Sequence, residues 1–361
     1  MDRRATDHLT EYLADFDEPT GYVDFARFGP PGRSVLATSE SLLRRAAQAG
    51  PTTVDELMAE EPRAKAAAAR LCGTSPDHVV LVPNTSLGLV QAAFGCQGEV
   101  LVPASDFPAN TYPWARAQQA GRVKVDWLSG PATPQGIADA LTARTTAVTV
   151  SAVDFRTGYH LDLAALRDLV GDRLLIVDGI QGFGAVSSQW AAADVLVVGG
   201  QKWLRAGWGT GFAVLSDRAL DRLEPLVSSW TGAQDPVRFD DLIHSPADGA
   251  ARWNITNLSP ITSGALASAL ELVESVGVEA IAARITSGVE ALAEAVRSAG
   301  GRIRAQGPNI LTFDMPDVAA AGAALRGAGI AATVRGDHIR LSPHASTSAE
   351  TVDAVRDVLA R

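Results

Sequence analysis

Leu174-Leu175-Ile176-Val177-Asp178-Gly179-Ile180-Gln181 and Val195-Leu196-Val197-Val198-Gly199-Gly200-Gln201-Lys202 are two apolar runs, each ending in a chemically distinctive residue. Runs this short fall below helix length, and uninterrupted Val, Leu and Ile suit strands buried on both faces. Lys202 follows Asp178 by 24 residues, room for one crossover and a second parallel strand. The carboxylate and the amine then stand at the carboxyl ends of their strands, where open α/β sheets bind ligands.

Similar runs occur on either side. Val79–Val82, Val100–Val102, Val123–Asp126, Ala147–Val150 and Gly211–Leu215 complete a set of seven candidate strands, each followed by turn signals. Helical patterns intervene near Ser39–Ala49, Thr53–Leu71, Leu87–Phe94, Leu163–Val170 and Asp217–Leu226. The alternation predicts an α/β protein with a largely parallel sheet. From about Ser263 the texture changes to two long Ala- and Leu-rich helices, Ser263–Val276 and Val278–Ala299, then shorter strand and helix signals. The expected division is a large domain over 18–262 and a smaller one from 1–17 and 263–361, with Thr231–Ala251 as a polar, Asp-rich surface loop.

Composition narrows the function. The 361 residues carry a net charge of -10, which lacks the basic footprint of nucleic-acid or anionic-membrane binding. Two cysteines, Cys72 and Cys96, provide neither a disulfide framework nor the ligand set of a structural zinc or iron-sulfur site. Beyond Arg3 and Arg4, the segment His8–Asp17 holds three carboxylates where a signal peptide needs an apolar core, so a cytoplasmic location is expected. Of the 31 basic residues 28 are arginine, which singles out the three lysines. An amine can lose its proton and form a Schiff base, whereas a guanidinium cannot. Lys65 reads as part of a solvated helix face and Lys124 as the outward side of an alternating strand. Lys202 alone follows a buried strand.

Three strand ends then combine. Pro83-Asn84-Thr85-Ser86-Leu87-Gly88 sets hydroxyls and a glycine at a helix start, which suits a phosphate or, equally, a simple N-cap. Asp178 is a strand-end carboxylate without the G-x-G-x-x-G pattern of dinucleotide sites, and it suits a protonated ring nitrogen. With Lys202 these describe a site for pyridoxal phosphate.

The sequences Asp178-Gly179-Ile180-Gln181, Gly199-Gly200-Gln201-Lys202-Trp203-Leu204 and Gly207-Trp208-Gly209-Thr210-Gly211-Phe212 resemble the core signature of the class V aminotransferases. These fold-type I pyridoxal phosphate enzymes include cysteine desulfurases, kynureninase, isopenicillin N epimerase-like proteins and the C–S lyase of ergothioneine biosynthesis. The resemblance runs from about Tyr22 to Arg361 and implies a mainly parallel seven-stranded sheet with flanking helices, a smaller α/β C-terminal domain, and a homodimer with its site at the interface. It also implies that Lys202 holds the cofactor as an aldimine and moves the α-proton. Asp178 would keep the ring nitrogen protonated, Gln181 would meet the ring hydroxyl, and Thr85, Ser86 and Gln201 would take the phosphate. Thr256 or Asn257 would reach the partner's phosphate. Phe107 would stack on the ring, although a core aromatic is an equal reading. Arg340, in His338-Ile339-Arg340-Leu341-Ser342-Pro343-His344, would clamp the substrate carboxylate, against the rival of a surface ion pair. Phe28 and Arg27 would border the substrate pocket or serve packing. His160, His244 and His344 read as structural.

No cysteine lies between Gly322 and Arg340, where desulfurases of this family carry a catalytic one. The favoured expectation is therefore β-elimination at the C–S bond of an S-substituted cysteine. Transamination or decarboxylating deamination, and then racemisation or epimerisation, are the alternatives.

Overall fold

Strand β5 (Leu174–Asp178) lies at the centre of a seven-stranded sheet and shows why its sequence does not alternate. Leu175 and Val177 face one hydrophobic core, whereas Leu174 and Ile176 face a second on the opposite side. β6 (Val195–Gly199) repeats the pattern, with Leu196 and Val198 in the first core and Val195 and Val197 in the other. Both faces are thus covered, as a parallel sheet requires. The computed structural model describes residues 3–361, with side chains from His8 onward, so the side chains of Arg3 and Arg4 lie outside the described residues.

The remaining strands are β1 (Val79–Leu81), β2 (Gly98–Pro103), β3 (Val123–Leu128), β4 (Thr145–Ser151) and β7 (Gly211–Leu215). Their order is β1-β7-β6-β5-β4-β2-β3, parallel except for β7, which runs antiparallel to both neighbours. All seven candidate runs are strands, and the sheet is largely parallel as the alternation predicts.

Helix boundaries depart from the sequence reading where proline intervenes. The expected helix over Thr53–Leu71 is two helices, Thr53–Met58 and Glu60–Cys72, because Pro62 lacks an N–H and fits only the first turn of a new helix. The helix from Asp217 stops at Arg222, ahead of Pro225, and the one expected at Ser39 begins at Arg33, after Pro30-Pro31-Gly32. Lys65 is not solvated: its side chain is largely covered and bonds Glu61 at 2.6 Å. Lys124 is exposed on β3 as read. The loop over Thr231–Ala251 is exposed but less polar at its surface than its aspartates suggest, because Val237, Phe239, Leu242 and Ile243 stand in solvent.

A second sheet, antiparallel in the order β10-β11-β9-β8, comprises β8 (Arg302–Gln306), β9 (Leu311–Asp314), β10 (Thr333–Val334) and β11 (Ile339–Leu341). Its core of Phe313, Ile339, Leu341 and Val355 is separate from the other two. The helix Val278–Ser298 links the cores, placing Ile281 and Ile285 in one and Val289, Leu292 and Val296 in the other. Near the amino end, Tyr22 and Asp24 bridge to Ala331 and Ser342, which fixes that segment against the small sheet. No described helix is long and apolar enough to cross a membrane.

Candidate functional site

A cavity of about 610 Å³ opens between the carboxyl ends of the large sheet and the small sheet. On the large-sheet side, Asp178 closes β5 and is 1% exposed. Its Oδ1 accepts the Ile180 N–H at 2.9 Å, while its Oδ2 is buried without a partner. Gly179 keeps the turn close to β6, since a Cβ there would sit 2.8 Å from the Leu196 side chain.

The chain leaves β6 through Gly199 and Gly200 and turns at Lys202. Gly29 N–H donates to the Gln201 carbonyl at 2.9 Å, and Arg205 N–H donates to that of Lys202 at 3.0 Å. A Cβ on Gly29 would stand 2.0 Å from the Lys202 carbonyl, so the contact requires glycine. Arg205 occupies the left-handed region with φ 59°, which costs free energy and persists only when surroundings impose it. Its buried guanidinium supplies that anchor by pairing with Glu18 at 2.5 Å and donating to the Pro30 carbonyl at 2.6 Å.

The helix Thr85–Gly95 settles the capping question. Asn84 caps it, accepting the Leu87 N–H at 2.9 Å, so the hydroxyls of Thr85 and Ser86 are not needed for that purpose. Thr85 Oγ1 is buried without a partner. A Cβ on Gly199 would lie 2.7 Å from both Thr85 Oγ1 and Gln201 Oε1, so these two oxygens converge above a bare backbone.

Other walls complete the cavity. Phe107 is 38% exposed, which excludes the core reading, and its ring meets Phe155 edge-on at 5.2 Å. Lys202 Nζ lies 5.4 Å from the Phe107 centroid. Asp106 fixes this segment by accepting from Ser151 Oγ at 2.7 Å and Asn110 Nδ2 at 2.9 Å. Gln181 lines the cavity with its amide engaged at both ends, donating to the Ala26 carbonyl and accepting from Trp203 Nε1, each at 2.9 Å. One of its N–H bonds remains free for a ligand.

Arg340 enters from β11. It is 7% exposed rather than a surface residue, donating to the Phe155 carbonyl at 2.7 Å and Thr333 Oγ1 at 3.2 Å, with Asp24 3.5 Å away. Its Nε has no partner. A guanidinium carries five N–H donors, so this fork keeps capacity for a carboxylate.

Burial pushes the Asp178 carboxyl up from its ordinary range, opposed by the Ile180 N–H. Burial also pulls the Lys202 amine down, with Asp178 opposing the change and Arg340 adding to it. An amine so placed is readier to act as a base or nucleophile than a solvated lysine.

The cavity wall therefore unites Lys202, Asp178, Thr85, Ser86, Phe107, Gln181, Gln201 and Arg340, together with Arg27. Phe28 is not in it; its ring stacks on Trp208 at 5.8 Å, and Trp208 forms the wall instead. Thr256 and Asn257 also lie outside the wall of this chain. His160, His244 and His344 line no part of it, and His344 is a buried partner of Tyr12 at 3.1 Å. Phe155, Thr333, Arg326 and Arg335 are not singled out by the sequence; Phe155 stands four residues beyond β4, and the other three follow no apolar strand.

These residues fit pyridoxal phosphate. The orphaned Asp178 Oδ2 suits the ring nitrogen, and the orphaned Thr85 Oγ1 at a helix start beside the Gln201 amide suits the phosphate.

Comparison with known proteins agrees with this fit. A kynureninase from Deinococcus radiodurans is 28% identical, covering 77% of this chain and 72% of that protein. An uncharacterized aminotransferase from Bacillus subtilis is 26% identical over 92% of this chain and 90% of its own length. The cystine C–S lyase C-DES, solved with its product cysteine persulfide, superposes with a TM-score of 0.86 at 18% identity, covering 94% of this chain and 97% of that one. The family model for class V aminotransferases matches residues 48–356, nearly the whole chain, and includes every strand end described above. The chain belongs to the class V aminotransferase family, whose cofactor is pyridoxal phosphate.

Proposed function

We propose that this protein acts on an amino acid and breaks the C–S bond of an S-substituted cysteine by β-elimination. One observation carries the reading: among the described residues Lys202 is the sole amine in the cavity wall, and that wall contains neither cysteine nor histidine. Persulfide formation needs an enzyme thiol, whereas elimination needs only a base at the α-carbon and a leaving group. Cys72 and Cys96 are both buried outside the wall, and burial pushes each thiol up, that of Cys96 to about 12.

Bound pyridoxal phosphate supplies an electron sink for negative charge at the α-carbon. Thr85, Ser86 and Gln201 hold its phosphate, Phe107 covers its ring, and Asp178 holds a proton on the ring nitrogen. Gln181 offers its remaining N–H to the ring hydroxyl. Arg340 receives the substrate carboxylate, which sets the α-hydrogen towards Lys202. Lys202 takes that proton, the Cβ–S bond breaks, and the sulfur leaves as a thiol. Water then releases the three-carbon remainder as pyruvate and ammonia.

Two identical chains form the working unit in this reading. Val237, Phe239, Leu242 and Ile243 are exposed on one loop, an apolar surface of the kind that marks subunit contacts. Thr256 and Asn257, outside this chain's cavity, are free to serve the partner's. Light scattering at micromolar concentration should give twice the 37.7 kDa chain mass; the mass of a single chain would remove the dimer.

Product analysis of the holoenzyme with a panel of amino acids tests the reaction. Pyruvate, ammonia and a thiol from S-alkylcysteines are expected. A keto acid that keeps its side chain would assign transamination, released carbon dioxide would assign decarboxylation, and inverted substrate would assign racemisation. Alanine and an aryl acid from kynurenine would place the enzyme with its kynureninase relatives. Any of these in place of pyruvate overturns the elimination.

A further inference from the structure

Among the described residues the cavity wall carries five cationic side chains, Arg27, Lys202, Arg326, Arg335 and Arg340, against a single carboxylate, Asp178. This excess occurs in a chain whose net charge is -10. Lys202 and Arg340 have assigned tasks, and neutral groups at the helix start suit the phosphate. Arg27, Arg326 and Arg335 have none. All three are exposed, and no side chain among the described residues forms a hydrogen bond or ion pair with them, although most of the other arginines have carboxylate or carbonyl partners. They come from three separate places: the entry segment after Asp24, the end of the helix Val318–Gly327, and the turn between β10 and β11. Arg335 and Arg27 are close enough to Arg340 that their charges act on its guanidinium.

Unpaired like charges gathered around one opening repel one another, and an anion between them relieves that repulsion. We infer that the substrate carries a second anionic group at the far end of its side chain, received by Arg27, Arg326 and Arg335 while Arg340 holds the α-carboxylate. This inference rests on the amino-acid reading and narrows it: an S-substituted cysteine whose sulfur substituent ends in an acid, such as S-(2-carboxyethyl)cysteine, is preferred to its uncharged counterparts.

The test uses the holoenzyme in two measurements. The first is turnover of S-(2-carboxyethyl)cysteine against its side-chain amide. The second is binding of glutamate against glutamine by calorimetry, which does not depend on the reaction branch. A preference for the acid of about tenfold or more is expected in each, with one charge-assisted contact sufficient for that factor. The preference should shrink as salt rises from about 0.05 to 0.5 M, because contacts at an open mouth are screened. In the double variant Arg27→Gln/Arg335→Gln the acid-to-amide ratio should fall towards one. Equal treatment of acid and amide by the wild type overturns the inference. So does a preference that survives the double variant, a loss of cofactor absorbance in it, or its dissociation into single chains, since these give the arginines other duties. If glutamate is preferred while S-substituted cysteines are not cleaved, the elimination fails and the acidic side chain stands.

Discussion

The two walls of the cavity are built on different principles. On the large-sheet side, Asp178 and Lys202 emerge from strands so apolar that any polar residue at their ends is conspicuous, and backbone geometry places them. On the small-sheet side, Arg340 sits in a three-residue strand and is positioned by side chains, Thr333 from β10 and Asp24 from the amino-terminal segment, with the Phe155 carbonyl. One wall holds its groups by main-chain turns that glycine permits; the other by hydrogen bonds from Arg340 to residues 7, 185 and 316 positions away. The first should resist conservative changes nearby and fail wholly when its reacting groups change, while the second should fail by degrees.

The largest effect expected is at Lys202. Lys202→Ala removes the base and the covalent attachment together, and turnover should fall by at least about 10³-fold, since base and nucleophile contributions each reach about 10²–10⁴. The visible band of the lysine-bound cofactor should disappear, as absorption spectroscopy of the purified variant will show. A variant that keeps both band and turnover would mean that the Asp178 and Lys202 pair is only structural.

Arg340→Gln probes the opposite wall. A charged bidentate contact to the α-carboxylate contributes about 2–3 kcal/mol, so KM should rise about 30- to 150-fold while the cofactor band stays. Steady-state kinetics with the preferred substrate will measure it. A fall in kcat at constant KM would instead assign Arg340 to the reacting centre.

The difference between the walls also explains which residues were legible in the sequence. Asp178, Lys202 and the Thr85–Ser86 pair follow apolar runs, and the rule that ligands bind at strand ends identifies them without tertiary knowledge. The same runs gave the seven strands. Thr333 and Arg335 follow no such run, and only the antiparallel pairing of β10 with β11 brings Thr333 opposite Arg340; Phe155 does stand just beyond β4, but an aromatic there carries no chemical signal of its own. The resemblance leaves Phe28 at the pocket or in packing, and the structure gives it packing: its ring stacks on Trp208, which lines the cavity. Helix breaks at Pro62 and before Pro225 were visible as residues, though the apolar periodicity running past them masked the breaks.

Lys202 feels both walls, and its titration reports their opposition. Burial lowers its pKa, Asp178 counters that, and Arg340 reinforces it. Removing an opposite charge disfavours the ammonium, so Asp178→Asn should lower the pKa further. Removing a like charge favours it, so Arg340→Gln should raise it. The rate of reductive methylation at Lys202 in cofactor-free protein, followed against pH by peptide mass spectrometry, should shift in opposite directions in the two variants. A shift in the same direction in both would mean that solvation alone governs this amine.

The smallest effects concern glycines, and they contrast the two regions in the absence of any ligand. Gly88 lies in the helix that carries Thr85, and a Cβ there would stand 2.6 Å from Val197 Cγ1 on β6. Gly327 ends the helix Val318–Gly327 beside the small sheet, where a Cβ would meet nothing within 4 Å. Gly88→Ala forces the helix away from β6, and the overpacking should cost about 1–3 kcal/mol, reduced by about 1 from better helix propensity. Gly327→Ala brings no clash and restricts only the unfolded chain, so it should stabilise by about 0.4–1 kcal/mol. Denaturant midpoints of the apoproteins will separate these signs. If both substitutions stabilise, the contact between the phosphate-side helix and β6 is looser than the glycine implies, and main-chain proximity is not what positions Thr85 beside Gln201.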